Sequence, residues 1–266
     1  CRYCAGPLAL TGGAGGDGEP RPPNCRWCGR VEVGFRCSAC GSARLRAVVI
    51  GARRTAEELG RAFPGATVRT SGGGEVLSDV PGGPSLVIAT PGAEPLAAGG
   101  YGAALLLDAW ALLSRADLRA AEETLRRWMN AAALVRPAGD GGRVVVMAES
   151  TLPPVQSLVR WDPAWHASQE LAARAELGFP PVVRMASVEA TPNALAAMLD
   201  ELRLPPSGEV LGPVPVGDEN VERALIRVNR AEGRALSAAL TEAVAARTAR
   251  KDPEVARVRL DPLELV

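Results

Sequence analysis

The chain has 266 residues and carries 30 basic and 30 acidic side chains, so its formal net charge is zero. This length allows one or two buried cores beside a small metal-binding module. The balanced charge excludes a global field that would draw the whole molecule to nucleic acid or to a membrane surface. No apolar run reaches the roughly 18 residues of a membrane-spanning helix.

The cysteines form three pairs, each with two residues between the partners. Thiolates at this spacing can converge on one ion, and four of them at about 2.3 Å make a closed tetrahedral zinc site. Gly29 and Gly41 directly follow two of the pairs, where the chain must turn tightly beneath a metal. The pattern predicts zinc binding, and three disulfides in a small secreted module are the alternative. The pairs are Cys1 with Cys4, Cys25 with Cys28, and Cys37 with Cys40.

Six cysteines fill one four-cysteine site and leave one pair over. Spacing alone leaves open which pairs share an ion. The sequence starts at Cys1 without a methionine or a signal peptide. We therefore expect it to be the downstream part of a longer protein, whose upstream residues complete the second site. Metal-type cysteines without a targeting segment suggest a cytoplasmic location.

Arginines surround the later cysteines, after a loop at 11–23 that is rich in glycine and proline. A four-thiolate zinc site is negatively charged, so these arginines can offset its charge. Contact with phosphate is the alternative, and the residues favour neither. The arginines are Arg26, Arg30, Arg36, Arg44 and Arg46.

After the cysteines, apolar runs of strand type alternate with amphipathic helices. One helix is predicted at 55–63, with Leu59 and Phe63 on one face, and another at about 118–133 with Asp117 as its N-cap. Strands that are apolar throughout and alternate with helices favour a parallel sheet covered on both faces. The predicted strands are 45–50, 66–70, 85–90, 103–108 and 143–148.

Residues 153–181 are less regular and contain Trp161, Trp165 and the only histidine, His166, before a predicted helix at 169–177. A histidine beside two tryptophans is more often packed or on the surface than catalytic. After Pro181 the predicted order is strand, helix, strand, strand, helix, strand, which is the split pattern of ferredoxin-like folds. These elements are strands 182–190, 209–216, 224–229 and 255–260 and helices 193–202 and 233–250.

The motifs of common catalytic sites are absent from the sequence. A phosphate loop of the form G-x-x-x-x-G-K-[ST] needs a lysine, and the only one, Lys251, lies at a polar helix end before Asp-Pro. Neither G-x-S-x-G nor H-E-x-x-H occurs. Asp108 ends a predicted strand and could bind a metal or a base, but such a residue more often caps the next helix. The residues by themselves indicate a zinc-bearing α/β protein with a binding role.

Taken together, these motifs resemble the C-terminal half of the PriA family of replication-restart proteins (primosomal protein N′), which are superfamily 2 DNA helicases. The cysteine array is similar to the last three of the family's four cysteine pairs. Further similar stretches cover nearly the whole chain: Gly51-Ala-Arg, Glu57-Glu58-Leu59, Phe63-Pro64-Gly65, Asp117-Leu-Arg119-Ala-Ala-Glu122, Glu176-Leu-Gly178-Phe179-Pro180-Pro181, Leu211-Gly-Pro-Val-Pro215 and Leu260-Asp261-Pro262.

The resemblance implies an α/β protein of three domains. A zinc-binding cysteine module at 1–44 is inserted in a RecA-like second helicase lobe with a parallel sheet at 45–181, and a ferredoxin-like α+β domain follows at 182–266. The first helicase lobe and the DNA-binding domains would lie upstream. The implied zinc ligands are Cys1, Cys4, Cys25 and Cys28 for one ion, with Cys37 and Cys40 closing a second site together with an upstream pair.

The sequence departs from this family at the positions that meet the nucleotide. The family's G-T-Q-M-x-x-K-G loop reads Ala89-Thr-Pro-Gly-Ala-Glu-Pro-Leu-Ala-Ala98-Gly99 here, without the glutamine or the lysine. The two arginines of the family's Q-V-A-G-R-A-G-R motif fall on Leu134 and Pro137, and Arg136 is out of register. Because arginine fingers contribute roughly 10³–10⁵ in rate in GTPases, ATP hydrolysis is not expected.

The implied function is that of a replication-restart protein without ATPase or helicase activity of its own. It would bind branched DNA at stalled forks and help primosome and helicase-loading proteins to reload the replicative helicase. The single-stranded-DNA-binding protein is a further candidate partner. An active ATP-dependent 3′–5′ DNA helicase of the same family is the alternative, and a stand-alone zinc-ribbon binding protein is the second alternative.

Overall fold

The computed structural model describes residues 1–3, 8–9, 22–25, 30–37, 40–43, 52–115, 117–216, 220–263 and 265. The predicted strand at 45–50 and the cysteines Cys4 and Cys28 lie outside the described residues. Two compact units are present. The split-β unit comprises Cys1–Gly34, Ala116–Leu118 and Ala167–Val266, and the parallel-strand unit comprises Phe35–Arg115 and Arg119–His166. None of the described helices is both long and apolar enough to cross a membrane.

The described chain contains twelve strands and seven α-helices. The strands are β1 (Leu8–Ala9), β2 (Asn24–Cys25), β3 (Thr67–Ser71), β4 (Asp79–Val80), β5 (Ser85–Ala89), β6 (Leu96–Ala97), β7 (Ala103–Leu106), β8 (Arg143–Val146), β9 (Val183–Ala190), β10 (Glu209–Pro215), β11 (Glu222–Asn229) and β12 (Arg257–Leu260). The α-helices are α1 (Ala52–Ala62), α2 (Ala109–Leu113), α3 (Ala120–Ala133), α4 (Pro153–Arg160), α5 (Pro163–Leu177), α6 (Pro192–Glu201) and α7 (Gly233–Ala249).

The strands of the parallel-strand unit pair in parallel, β3 with β5, β4 with β6 and β7 with β8. On one face of β7 and β8, Leu106 and Val146 pack against the core cluster that includes Trp128 of α3. On the other face, Leu105 and Val145 are 63% and 44% exposed. The described strands predicted for this unit are therefore confirmed. The prediction that the sheet is covered on both faces is wrong for β7 and β8 within the described residues, because the core of α2, α3 and α4 lies on one side only.

Two helix starts in this unit differ from the prediction. Helix α1 begins at Ala52, three residues early, and Phe63 follows its end with 54% of its surface exposed. Phe63 therefore does not extend the apolar face of α1. Helix α3 has Arg119 as its N-cap residue and no side-chain cap bond, so the prediction that Asp117 caps it is wrong.

Residues 153–177 are more regular than predicted, because proline fits the first turn of a helix. Helix α4 begins at Pro153, and Trp161 ends it in the left-handed conformation, with φ 54°. The Asp162 side chain then accepts the backbone N–H of Trp165 at 2.9 Å, an N-cap bond ahead of Pro163 at the first position of α5. The segment therefore holds two helices where one at 169–177 was predicted.

The C-terminal part of the split-β unit is a four-stranded antiparallel sheet in the order β10–β11–β9–β12. Helix α6 follows β9 and helix α7 follows β11, which gives the predicted β-α-β-β-α-β arrangement. Its core joins Val188 and Ile226 of the central strands to Met198 of α6 and Leu236 of α7, all at 1% exposure or less. Burying a side chain of this size contributes about 1.5–3 kcal/mol. The predicted small C-terminal α+β domain is confirmed.

Candidate functional site

The structure describes four of the six predicted zinc ligands. Cys25 is buried at 1% exposure, Cys1 and Cys37 are half-buried, and Cys40 is exposed. Among the described residues, which omit Cys4 and Cys28, no group of three or more histidine, cysteine, aspartate or glutamate side chains could hold a metal ion. The four-cysteine site therefore stays a prediction.

The backbone beside the described cysteines has the turns that a C-x-x-C metal site requires. The N–H of Tyr3 donates to Cys1 Sγ at 3.4 Å, a bond that orients the sulfur. The N–H of Gly41 donates to the carbonyl of Cys37 at 2.8 Å, and Gly41 has φ +68°. That left-handed conformation is the tight turn predicted for the glycine after a cysteine pair. These turns, together with an all-thiolate donor set, fit zinc.

An ion pair joins the first turn of the chain to the segment that follows the second cysteine pair. The Nε and the backbone N–H of Arg2 both donate to the carboxylate of Glu32, and Arg2 Nη2 donates to the carbonyl of Val33 at 2.9 Å. The Glu32 side chain is 4% exposed, and the hydrogen bond from Arg2 holds its pKa below the ordinary value. The guanidinium of Arg30 lies over the ring of Tyr3, 4.5 Å from its centre. We call Arg2, Tyr3, Arg30 and Glu32 the arginine clasp.

The described arginines near the cysteines make contacts within the cysteine region. Arg30 belongs to the arginine clasp. Arg36 Nη1 donates to the carbonyl of Gly41 at 3.3 Å, at the turn after the third cysteine pair. Both side chains thus hold cysteine-bearing turns in place. Arg26, Arg44 and Arg46 lie outside the described residues.

Asp108 and His166, the other residues considered for chemistry, have structural positions. Asp108 is the N-cap residue of α2, with φ 52° and no side-chain cap bond. Its carbonyl, rather than its carboxylate, accepts the N–H of Ala111 at 2.8 Å. His166 in α5 is 3% exposed, and its ring nitrogens have no hydrogen-bond partner among the described residues. This burial agrees with the packing interpretation of His166.

Residues 90–94, which we call the strand-end loop, replace the family's glutamine-bearing loop and close on themselves. Both carboxylate oxygens of Glu94 accept the backbone N–H of Gly92 at 3.0 Å. The buried hydroxyl of Ser71 donates to the carbonyl of Ala93 at 2.6 Å. Burial and, secondly, the charge of Glu94 raise the pKa of Tyr101. Because the carboxylate of Glu94 already accepts the N–H of Gly92, that N–H is not available to a phosphate oxygen.

Close packing fixes the strand-end loop on two sides. Gly72 has φ +134°, and a Cβ atom there would lie 2.2 Å from Thr90 Oγ1, so only glycine allows this approach. Arg127 Nη1 of α3 donates to the carbonyl of Pro91 at 3.2 Å. The loop is therefore held by α3 and by the end of β3.

Positions 134 and 137, on which the family's two arginines are predicted to fall, lie just beyond α3. Leu134 is the half-buried C-cap residue of α3, and its carbonyl accepts the N–H of Tyr101 at 2.9 Å. Arg136 is exposed, and its side chain lies against Gly100, where a Cβ atom would be 3.0 Å from Arg136 Cγ. Pro137 continues in extended backbone. Neither Leu134 nor Pro137 carries a cation, and the side chain of Arg136 packs beside Gly100.

The C-terminal domain contains a groove of about 380 Å³ beside the start of α7. Three arginines, Arg184, Arg230 and Arg234, line it against one carboxylate, that of Asp261. Arg184 Nη1 lies 2.8 Å from Asp261 Oδ2, which leaves two of the three cations in excess. Of the apolar side chains at the groove, Leu260 is 50% exposed, whereas Met185 and Leu236 are buried at 1%. The groove suits an anionic ligand that also carries an apolar group.

Sequence reasoning missed both the arginine clasp and the groove. Arg230 and Arg234 stand four residues apart at the start of a predicted helix, and this spacing was the one available signal for the groove. Arg184 joins them only because β9 lies beside α7 in the fold. Glu32 gave no signal, since its partner Arg2 is 30 residues away in sequence.

Comparison with known proteins relates this geometry to a family. Residues 175–263 match the family model described as primosomal protein N C-terminal domain. Along its whole length the chain is 52% identical, over 277 aligned residues, to the probable replication restart protein PriA of Mycobacterium leprae. The resemblance to the PriA family is confirmed. The identity to the protein of the same name from Mycobacterium tuberculosis H37Rv is 53% over 283 residues, and the chain spans 42% of the length of each relative.

The part that matches the PriA family model contains the whole antiparallel sheet with α6 and α7. The groove residues, from Arg184 to Asp261, all lie inside it. The strand-end loop and the arginine clasp lie outside it, within the chain-long similarity to the mycobacterial proteins.

Proposed function

We propose that this chain is part of a replication-restart protein that binds branched DNA at stalled forks and helps to reload the replicative helicase. The supporting observation is the 52–53% identity along the entire chain to proteins named probable replication restart protein PriA. In this proposal residues 1–44 form a zinc module, residues 45–181 a RecA-like second helicase lobe, and residues 182–266 the C-terminal domain. The protein acts in the cytoplasm with primosome and helicase-loading proteins.

We further propose that the protein does not hydrolyse ATP. Three features of the parallel-strand unit support this: the Glu94 carboxylate on the N–H of Gly92, and the uncharged Leu134 and Pro137 at the family's arginine positions. An active helicase, the alternative, would need cations at these places, because phosphoryl transfer depends on positioning and charge stabilisation.

Zinc binding is part of the same proposal. Cys1, Cys4, Cys25 and Cys28 hold one ion, and Cys37 with Cys40 supplies half of a second site. The buried thiol of Cys25 and the turns at Tyr3 and Gly41 support it. A closed thiolate site supplies a structural cross-link, whose binding free energy contributes to folding.

We expect the full-length protein to bind a forked DNA at least tenfold more tightly than a linear duplex with the same number of phosphates. Equal phosphate number matters because backbone contacts alone give sequence-independent, salt-dependent affinity. Fluorescence anisotropy at one fixed salt concentration measures both affinities. Equal affinity for the two DNAs would contradict fork recognition.

We assign the groove of the C-terminal domain to an acidic segment of a partner protein, the single-stranded-DNA-binding protein. Two arginines without a carboxylate inside the groove, Arg230 and Arg234, favour an anion. Leu260, which is 50% exposed at the groove, favours a ligand with an apolar side chain next to its charge. A DNA backbone would leave Leu260 uncovered.

The double variant Arg230→Ala, Arg234→Ala should lower the affinity for an acidic peptide of the single-stranded-DNA-binding protein by tenfold or more. Hydrogen bonds to charged groups contribute about 1.5–3 kcal/mol each. Isothermal titration calorimetry with the full-length protein measures the loss. Arg203 is an exposed arginine of the same domain outside the groove, so Arg203→Ala is the matched control. This variant should bind the peptide with unchanged affinity. Loss of fork affinity with unchanged peptide affinity would instead make the groove a DNA contact.

A further inference from the structure

Backbone hydrogen bonds pair residues 23–25, which include Cys25, with residues 30–32 as the two arms of a hairpin. The N–H of Cys25 donates to the carbonyl of Arg30 at 2.8 Å, and the N–H of Glu32 donates to the carbonyl of Pro23 at 2.7 Å. Asn24 also bridges to Val31 in antiparallel fashion. These backbone bonds fix Glu32 relative to Cys25.

The arginine clasp then ties the Cys1 turn to this hairpin. Arg2, the residue after Cys1, makes its hydrogen bonds to Glu32 and Val33, and the ring of Tyr3 lies under the guanidinium of Arg30. Arg2 and Glu32 are 30 residues apart in sequence. The arginine clasp therefore closes a long loop. Because the clasp offsets the entropy cost of that closure, zinc binding carries less of it.

From this geometry we propose that Glu32, acting through Arg2, is a positioning residue that sets the Cys1 turn against the Cys25 hairpin before zinc binds. The inference rests on the proposed zinc site. Glu32 itself is not a ligand, because its carboxylate is taken up by Arg2. Groups that orient metal ligands typically change metal affinity by 10- to 100-fold when they are removed.

The sign of the effect separates positioning from simple electrostatics. A four-thiolate zinc site is negatively charged, so removing a nearby carboxylate should by charge alone strengthen metal binding. Positioning gives the opposite sign, because Glu32→Gln weakens the bonds from Arg2 and frees the Cys1 turn. A fall in affinity on Glu32→Gln therefore cannot come from the lost charge.

We expect Glu32→Gln to weaken zinc binding by 10- to 100-fold, as measured by competition with a chromogenic chelator on the full-length protein. The cobalt-substituted variant should keep the absorption spectrum of a tetrahedral thiolate site at saturation, since the ligands are unchanged. The charge-reversed pair Arg2→Glu, Glu32→Arg should recover part of the loss. Glu58→Gln is the matched control, because it removes a carboxylate from an exposed ion pair with Arg54 on α1.

The outcomes distinguish this inference from the proposed zinc site. Absence of zinc from the unaltered protein would overturn the zinc proposal and this inference with it. Zinc in the unaltered protein with unchanged or tighter binding in Glu32→Gln would overturn the inference alone. If Glu32→Gln does not fold, Arg2→Gln removes the same ion pair from the exposed side, and unchanged zinc affinity in that variant overturns the inference equally.

Discussion

The full-length protein that contains this chain should show no ATP hydrolysis above background, even with forked DNA present. An active second lobe presents cations to the charge that develops on the γ-phosphate, and positioning and electrostatics supply nearly all of the catalysis. Leu134 and Pro137 present no charge, and Arg136 lies against Gly100. A DNA-stimulated ATPase assay tests this. Turnover of about 1 s⁻¹ or faster, within the usual enzyme range, would show that the protein is an active member of the family.

A restoration variant tests the physical reason for this expectation. Ala133→Gly, Leu134→Arg, Arg136→Gly and Pro137→Arg together write the family's two arginines back into register. The strand-end loop remains closed by Glu94 in that variant, so we expect turnover only when Glu94→Ala is added, because alanine has no oxygen to accept the N–H of Gly92. Turnover with the arginines alone would show that the closed loop is no obstacle.

The C-terminal domain could be predicted closely because its signals are local. The apolar positions of β9, β11, α6 and α7 repeat at strand or helix spacing, and the structure buries them in one core. Predicted and observed boundaries there agree to within two residues for every element. Strand periodicity also located β3, β5, β7 and β8, whereas their pairing and coverage depend on packing that a single segment does not encode.

Sequence reasoning failed where one signal had two structural meanings. Residues 153–181 were predicted to be less regular, yet Pro153, Pro154 and Pro163 each stand in the first turn of a helix. The pair Asp162-Pro163 is a cap followed by a first-turn proline, and this signal could have located α5. Asp117, by contrast, has the residue type of a cap but precedes the N-cap position by two residues.

The candidate sites show the same limit. The cysteine spacing and the glycine after Cys40 predicted the turn that the structure has at Gly41. The partners of that region, Arg2 and Glu32, are joined only by folding, as are Arg184 and Arg234 in the groove. The spacing of residues in the sequence identifies side chains that act together within one turn. Side chains that are 30 or more positions apart can be identified as partners only from the structure.

Replacing Cys25 by serine should remove the zinc ion and loosen residues 1–41, which is the largest effect expected of any substitution in the chain. A structural zinc site contributes an apparent binding free energy of about 10–16 kcal/mol in zinc-finger peptides. Cys25 is 1% exposed, so the serine hydroxyl would also be buried in its place. Metal analysis should fall from about one zinc per chain to none, and hydrogen exchange should show lost protection at residues 1–41.

The sheet of β9–β12 should keep its protection in Cys25→Ser, because its core is built from residues 186–243 and includes none from the cysteine region. Cys40→Ser is the matched control: Cys40 is exposed and belongs to the half-site, so this variant should retain about one zinc per chain. Equal loss of protection after Pro181 in Cys25→Ser would show that the C-terminal domain depends on the cysteine region. Two tightly held ions in the unaltered 266-residue chain by itself would show that Cys37 and Cys40 complete a second site with ligands inside this chain.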